Sequence, residues 1–231
     1  MKQLGIIGGL GPDSTVDYYQ TLIALYRERQ PDGSYPPILI NSIDMRRAVQ
    51  ALEAGDLKAL TDYLLAELQK LQRAGADFAI VSANTPHIVF DELEQQSPLP
   101  LISIVTATRE AAKARRLKRV GLFATSFTVQ AGFYSKVFSR QGIEIVAPAP
   151  AEQDYIHEKY MGELVHGIFL PETRAGLLRI VDRLAHEAGI EGVILGGTEL
   201  PLILRADAHN GIPFLNTTRI HAKAAIERMF S

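Results

Sequence analysis

The sequence has 231 residues, of which 47% are hydrophobic and 22% are charged, with a formal net charge of −2 and no cysteine. These proportions are typical of an ordinary globular protein with one large domain or two smaller ones. The charge gives no electrostatic reason to expect nucleic acid or an anionic membrane as a partner. The absence of cysteine excludes disulfides, thiolate metal sites and thiol catalysis. With no signal-peptide pattern and no apolar run as long as a membrane span, we expect a cytoplasmic protein.

Short apolar runs alternate with longer amphipathic segments, a pattern that predicts βα units on parallel sheets. Predicted strands cover residues 4–7, 38–41, 78–82, 101–103, 120–124, 143–147, 192–195 and 214–216. Predicted helices cover residues 14–29, 56–74, 104–114, 127–141, 152–165, 171–187 and 218–230.

The chain carries an internal duplication. Residues 74–85 (AGADFAIVSANT) align with residues 188–199 (AGIEGVILGGTE), an offset of 114. Two more pairs of segments match in the same way: 4–9 with 120–125, an offset of 116, and 99–103 with 212–216, an offset of 113. Each half contains four predicted strands, and three of those in the first half match strands of the second half in this way. This predicts an α/β fold of two pseudo-symmetric domains, each a parallel-stranded sheet flanked by helices.

We place the first domain at residues 1–98 plus 213–231 and the second at residues 99–212. The last helix would then return to the first domain. Ligands of open α/β sheets bind at the carboxyl ends of the strands, and pockets favour domain interfaces. We therefore expect a cleft between the two domains that binds a small carboxylate or an amino acid.

A glycine-rich loop follows the first strand. Gly9 and Gly11 lie in this loop, directly before a predicted helix. Backbone N–H groups at such a helix start bind carboxylates or phosphates, although a tight strand-to-helix turn gives the same pattern. The loop lacks the G-x-G-x-x-G spacing of dinucleotide sites. At the equivalent place in the second half, Thr125 and Thr128 would supply hydroxyl groups to the ligand.

A polar cluster follows the third predicted strand. Asn84 and Thr85 offer hydrogen-bond donors and acceptors for a carboxylate, and equally suit the capping of a helix. His87 could act as an acid or base near neutral pH, or cap the following helix, or pair with Asp91.

The duplicated loop in the second half contains Thr198 and Glu199. A carboxylate beside a hydroxyl on this loop could hold a ligand ammonium or act as a base, while a solvated surface charge is the alternative. Arg46 and Arg47 follow the second strand, where one of them could clamp a carboxylate with two hydrogen bonds. Spacing does not distinguish which arginine faces the ligand. The six scattered histidines give no metal-binding pattern, so we expect no metal.

Taken together, these motifs resemble the aspartate/glutamate racemase superfamily, most closely its aspartate racemase branch, over nearly the whole chain. The motifs are the G-G-x-G-P loop at 8–12, the A-G-A-D strand leading to Asn84-Thr85-x-His87, the loop at Thr125, and the Gly196-x-Thr198-Glu199 loop. The resemblance implies a two-domain α/β protein that forms a homodimer. It also implies racemisation of an amino acid without pyridoxal phosphate or metal, and therefore no cofactor.

The same resemblance implies two catalytic cysteines, one on each duplicated loop, which would fall at Ala83 and Gly197. A methyl group and a hydrogen cannot transfer protons, so we expect the two-thiol mechanism to be absent. The remaining candidates for an acid or base are Ser82, His87 and Glu199. Two alternatives stay open: a non-catalytic binding or sensor protein for an acidic amino acid, and a divergent cofactor-free isomerase or lyase acting on a related carboxylic acid.

Overall fold

The computed structural model describes all residues from 1 to 231, and the chain divides into two compact units. The first unit contains Met1–Ile104 and Thr218–Ser231, and the second contains Val105–Thr217. The boundaries differ from the domain limits expected from the sequence. The strand at residues 212–216 pairs within the second unit, so residues 213–217 belong there.

The first unit is built on a sheet of three parallel strands in the order β2-β1-β3. A parallel bridge between Ala79 and Leu101 extends this sheet by one residue pair beyond β3. The elements of this part of the chain are β1 Leu4–Gly8, α1 Pro12–Arg29, β2 Ile38–Ser42, α2 Met45–Glu53, α3 Leu57–Arg73, β3 Phe78–Val81, a 3₁₀ turn at Thr85–Val89, and α4 Phe90–Gln96.

The second unit has a sheet of five strands in the order β5-β4-β6-β8-β7, parallel except for the short antiparallel β7 at its edge. Its elements are α5 Ile104–Ala114, which begins at the unit boundary, β4 Arg119–Phe123, α6 Ser126–Gln130, α7 Phe133–Ser139, β5 Glu144–Val146, α8 Pro150–Gly162, a 3₁₀ turn at Leu164–His166, α9 Pro171–Ala188, β6 Gly192–Leu195, α10 Leu200–Ile203, β7 Ala208–His209 and β8 Ile212–Asn216.

The first three strands of each unit are arranged in the same order, whereas the edge strand β7 has no counterpart in the first unit. β1 lies between β2 and β3 just as β4 lies between β5 and β6. The bridge from Ala79 to Leu101 corresponds to the pairing of Val193 with Phe214 in the second unit. The α/β fold with parallel sheets flanked by helices is therefore confirmed, and the repeat found in the sequence is visible in the strand order.

The last helix, α11 Thr217–Met229, packs on the first unit. It forms one hydrophobic cluster with α1 and with the strand residues that point to that face of the sheet, including Leu4, Ile6 and Ile80. The alternate residues, such as Ile7 and Val81, pack on α3 at the opposite face, as the two-residue period of a strand requires.

Several local predictions differ from the structure. The strand expected at 101–103 is a single bridge, because both of its backbone hydrogen bonds go to Ala79 before the chain enters α5. The helix expected at 127–141 is two helices, interrupted where Gly132 adopts a φ of 66°. Helix α2, capped by the Asp44 side chain, the short helices α4 and α10, and the short strand β7 were not among the predicted elements.

Candidate functional site

The glycine-rich loop of the first unit is shaped by its own backbone. Gly9 has a φ of +78°, and a Cβ atom there would lie 2.3 Å from the carbonyl oxygen of Ile43. The Gly9 N–H donates to the Thr15 hydroxyl at 2.8 Å, and the Gly11 carbonyl accepts from the same hydroxyl at 3.0 Å. These contacts correspond to the tight-turn interpretation, and the contact of Gly9 and Gly11 with an anion stays a prediction.

Ser82 and Ala83 lie at the carboxyl end of β3, and both are buried. The Ser82 hydroxyl donates to the carbonyl oxygen of Ile7 on the neighbouring strand at 2.9 Å. The Ser82 hydroxyl therefore makes a hydrogen bond within the sheet, and the Ala83 methyl group carries no titratable atom.

His87, four residues further on, bonds to the backbone of the first unit through both ring nitrogens. Its Nδ1 donates to the Ala83 carbonyl at 3.0 Å, and its Nε2 accepts from the Ile104 N–H at 3.2 Å. These partners assign the neutral tautomer with the proton on Nδ1. The ring also stacks on Phe90, with 4.9 Å between ring centroids.

A second buried histidine, His221 on α11, lies beside His87 with 6.3 Å between ring centroids. Its Nε2 donates to the Ile102 carbonyl at 2.8 Å, and its Nδ1 accepts from the Tyr18 hydroxyl at 2.9 Å. Burial, and for His87 also repulsion from a charged His221, lowers the pKa of His87 to about 3 and that of His221 to about 4. Both imidazoles are therefore neutral near pH 7.

The remaining predicted residues of the first unit lie in two places. Asn84 is buried, and its backbone carbonyl accepts from the backbone N–H of His87 at 2.9 Å. Thr85 is half-buried at the start of the 3₁₀ turn. Arg46 and Arg47 are both exposed on the first turn of α2. The Arg47 guanidinium stacks on Tyr63, with its Cζ atom 4.2 Å from the ring centroid, so Arg46 is the arginine without this ring contact.

In the second unit, Thr125 caps helix α6. Its side chain accepts from the Thr128 N–H at 3.4 Å, and the two buried hydroxyls are 3.3 Å apart. The pair thus holds the start of a helix at the carboxyl end of β4, the position equivalent to the glycine-rich loop.

Thr198 and Glu199 lie just after β6 and form a buried polar cluster with Tyr160 of α8. Glu199 is only 1% exposed, and its carboxylate accepts hydrogen bonds from the Tyr160 hydroxyl and from the Thr198 hydroxyl, the latter at 3.0 Å. Burial and the adjacent Glu199 charge raise the pKa of Tyr160 well above its usual value. The surface-charge interpretation of Glu199 is therefore wrong, because the carboxylate lies inside the unit.

Gly197 precedes this pair and contacts the same tyrosine. A Cβ atom at Gly197 would lie 2.3 Å from Cε2 of Tyr160 and 2.8 Å from its Cζ. Sequence patterns did not indicate this role, since Tyr160 has the four-residue spacing to Ile156 and Leu164 that is typical of a core-facing helix position.

The predicted residues thus form separate groups within each unit. In the first unit the strand-end cluster holds Ser82, Ala83, Asn84 and His87, and in the second it holds Gly197, Thr198, Glu199 and Tyr160. No three histidine, aspartate or glutamate side chains are arranged to hold a metal ion. None of the helices has the length and apolar character needed to cross a bilayer.

Comparison with known proteins gives matches to racemases and a racemase homologue that extend over almost the whole chain. The sequence profile described as Asp/Glu/Hydantoin racemase matches residues 7–225. The chain is 26% identical to a broad-specificity amino-acid racemase of Bacillus subtilis over 236 aligned residues, which cover 96% of each protein. An aspartate racemase homologue from Pyrococcus horikoshii OT3 has a similar crystal structure, with 33% identity, a TM-score of 0.84 and full coverage of both chains. A Picrophilus torridus aspartate racemase shares the fold at 21% identity, with a TM-score of 0.79 over 100% of this chain and 95% of the other.

Proposed function

Because this chain belongs to the Asp/Glu/Hydantoin racemase family, we propose that it binds a small acidic amino acid without racemising it by the family's two-thiol route. The observation that carries this proposal is the chemistry and hydrogen bonding of the side chains in residues 82–87. Racemisation needs an acid and a base on opposite faces of the substrate carbon. Nothing in this segment of the first unit is built to supply either at neutral pH.

Each candidate in the first unit has a definite reason for being inactive. Ala83 has no titratable atom, and the Ser82 hydroxyl is donated to a strand carbonyl. His87 uses both ring nitrogens on backbone groups, and its protonated form would place an Nε2–H against the Ile104 N–H. A proton on His87 therefore costs a buried hydrogen bond as well as desolvation.

Binding is supported by the chemistry of the strand-end loops. We propose that neutral donors at Asn84, Thr85, Thr125, Thr128 and Thr198, with Gly9 and Gly11, contact the ligand, and that Arg46 or Arg47 provides the counter-charge for a carboxylate. Arg46 is the better candidate, because Arg47 already stacks on Tyr63. The Bacillus subtilis relative is described as a broad-specificity amino-acid racemase, which supports an amino acid as the ligand class.

Two measurements test this proposal together. A thermal-shift screen of L- and D-amino acids and dicarboxylates should give stabilisation by acidic compounds, about 2.7 kcal/mol at a hundredfold excess over the dissociation constant. Chiral chromatography of aspartate and glutamate after long incubation should show no racemisation. Stabilisation by no acidic compound would contradict binding, and rapid racemisation would contradict the loss of the two-thiol route.

The second candidate function is a one-base reaction, such as elimination or isomerisation, on a related carboxylic acid. The observation that favours it is the buried Glu199 carboxylate with Tyr160 and Thr198 as donors. Glu199 would act as the base. Incubation of the acidic compounds that bind, followed by proton NMR for new products, separates this function from a sensor, which would bind and return its ligand unchanged.

The resemblance also leads us to propose a homodimer that needs no cofactor. Static light scattering at micromolar concentration should give twice the mass of the 25.4 kDa chain. A monomeric mass would contradict the dimer without affecting the proposed ligand.

A further inference from the structure

The Tyr160 side chain lies directly beside Gly197. An added Cβ atom would meet Cε2, Cζ and the hydroxyl oxygen of Tyr160 at 2.3, 2.8 and 3.0 Å. Distances below about 3 Å are far inside van der Waals contact, so either the ring or the loop would have to move. All three nearest atoms belong to Tyr160, so its ring is the first obstacle to a side chain at position 197.

The backbone does not impose glycine at this position. Gly197 is absent from the glycines with positive φ, so its conformation is open to any residue. The adjacent Gly196 differs, because a Cβ atom there would meet Leu122, the Phe123 carbonyl and Ala124 at 2.8, 3.0 and 3.2 Å. Residues at the end of β4 restrict position 196 to glycine, whereas at position 197 the restriction comes from the ring of Tyr160 on helix α8.

Tyr160 is held in place at both ends. Its hydroxyl donates to the buried Glu199 carboxylate. Its ring lies in the same hydrophobic core cluster as Ile156 of α8 and Leu164 of the following 3₁₀ turn. Moving the ring away from position 197 would break a hydrogen bond to a buried carboxylate and open the core. The tyrosine is therefore a fixed obstacle and does not rotate out freely.

We propose that Tyr160 occupies the volume of a side chain at position 197, so that the second loop presents a phenol hydroxyl paired with Glu199 in place of a thiol. This inference rests on the proposed function only for equating position 197 with the family's second thiol. Its consequence is that positions 160 and 197 are coupled. Introducing Gly197→Cys by itself does not rebuild a usable thiol, because Tyr160 must be replaced by a smaller side chain at the same time.

The absence of cysteine makes a direct test possible, since an introduced thiol is the only one in the chain. We would measure the rate of labelling by Ellman's reagent in Gly197→Cys, alone and combined with Tyr160→Leu or Tyr160→Phe. The Tyr160→Leu change removes the planar ring and should raise the rate at least about tenfold, because thiol reactivity follows exposure. The Tyr160→Phe change keeps the ring and loses only the hydroxyl, so it should leave labelling slow.

Gly162→Cys is the matched control. Gly162 ends the same helix α8, has no positive φ, and has no atom within 4 Å of an added Cβ. Its thiol should react quickly whatever residue is present at position 160. Equal labelling rates of Gly197→Cys with and without the Tyr160→Leu change would overturn the proposal.

A second measurement needs no thiol and covers the case in which a cysteine variant fails to fold. Gly197→Ala should lower the melting temperature by about 2–10 °C in the presence of Tyr160, as expected for overpacking, and much less when Tyr160→Leu is present. Gly162→Ala should show no such dependence on residue 160. Additive effects of Gly197→Ala and Tyr160→Leu would contradict the coupling.

Neither measurement uses a ligand, so failure here is distinguishable from failure of the proposed function. If the coupling holds, Ala83→Cys with Gly197→Cys should gain aspartate racemisation only when Tyr160→Leu is added. Gain of activity with Tyr160 in place would overturn the proposal just as the labelling result would.

Discussion

Acidification should destabilise the first unit through its two buried histidines. Both are neutral in the folded chain, with the pKa of His87 lowered to about 3 and that of His221 to about 4, against an ordinary value of 6.5. As the pH falls below 6.5, the unfolded chain binds protons that the folded chain excludes. Their contribution to stability is therefore complete above pH 6.5 and is lost as the pH falls toward 4 and 3.

The magnitude follows from linkage. Each histidine should lower the free energy of unfolding by about 1.4 kcal/mol per pH unit inside this window, or about 2 kcal/mol between about pH 7.5 and pH 5. The two together should remove about 4 kcal/mol over that interval, which is a large part of the stability of an ordinary domain.

Urea denaturation at a series of pH values tests this expectation. The chain has no tryptophan, so far-UV circular dichroism is the suitable signal. His87→Gln and His221→Gln each remove one titrating ring and keep an amide that can hydrogen-bond, so each should reduce the pH slope by about half. His186→Gln removes an exposed imidazole on α9 and should leave the steep slope in place.

Two outcomes would refute the reasoning. One is a stability that stays flat between about pH 7.5 and pH 5, which would mean that the histidines are protonated equally in both states. The other is a slope that neither glutamine variant changes, which would place the proton uptake elsewhere.

Three further predictions concern single contacts, each measured by denaturant unfolding. Gly9→Ala should cost at least about 3 kcal/mol, because it combines positive φ with a clash against backbone, whereas Gly33→Ala, with similar φ and open space, should cost about 1 kcal/mol. Equal costs would show that the clash is unimportant. Ser82→Ala should cost about 1–2 kcal/mol through a lost buried hydrogen bond, and a neutral effect would reopen a catalytic assignment for its hydroxyl. Thr198→Val should cost about 1–3 kcal/mol by removing a donor to Glu199, and no loss would show that this bond adds little.

The fold was well predicted from the sequence because repetition carries long-range information. A nearly constant offset between several matched segments relates whole βα units, and the strand pairs Leu4–Phe78 and Val120–Gly192 follow that relation. Local patterns were weaker where elements are short. The strand around Leu101 is only one pair long, and no periodicity distinguishes one bridge from a full strand.

The candidate site was less predictable, because its key contacts join distant residues. Tyr160 meets Glu199 across 39 positions, and His87 meets His221 across 134. Sequence periodicity relates residues on the same helix or strand and not contacts between elements, so Tyr160 had the pattern of an ordinary core residue. Solvent exposure was the alternative interpretation of the Glu199 charge, and the fold instead buries this carboxylate with two donors.

The position of α11 also determines when each part of a newly made chain can become complete. One hydrophobic face of the first unit includes Ala222, Ala225 and Met229 of α11, which follow the whole second unit in the sequence. That face stays uncovered during synthesis until α11 has emerged from the ribosome. The second unit, residues 105–217, has its whole sheet available earlier. The usual order, in which the N-terminal domain folds first during synthesis, is thereby reversed, and residues 1–104 must be kept from aggregating until α11 has been made.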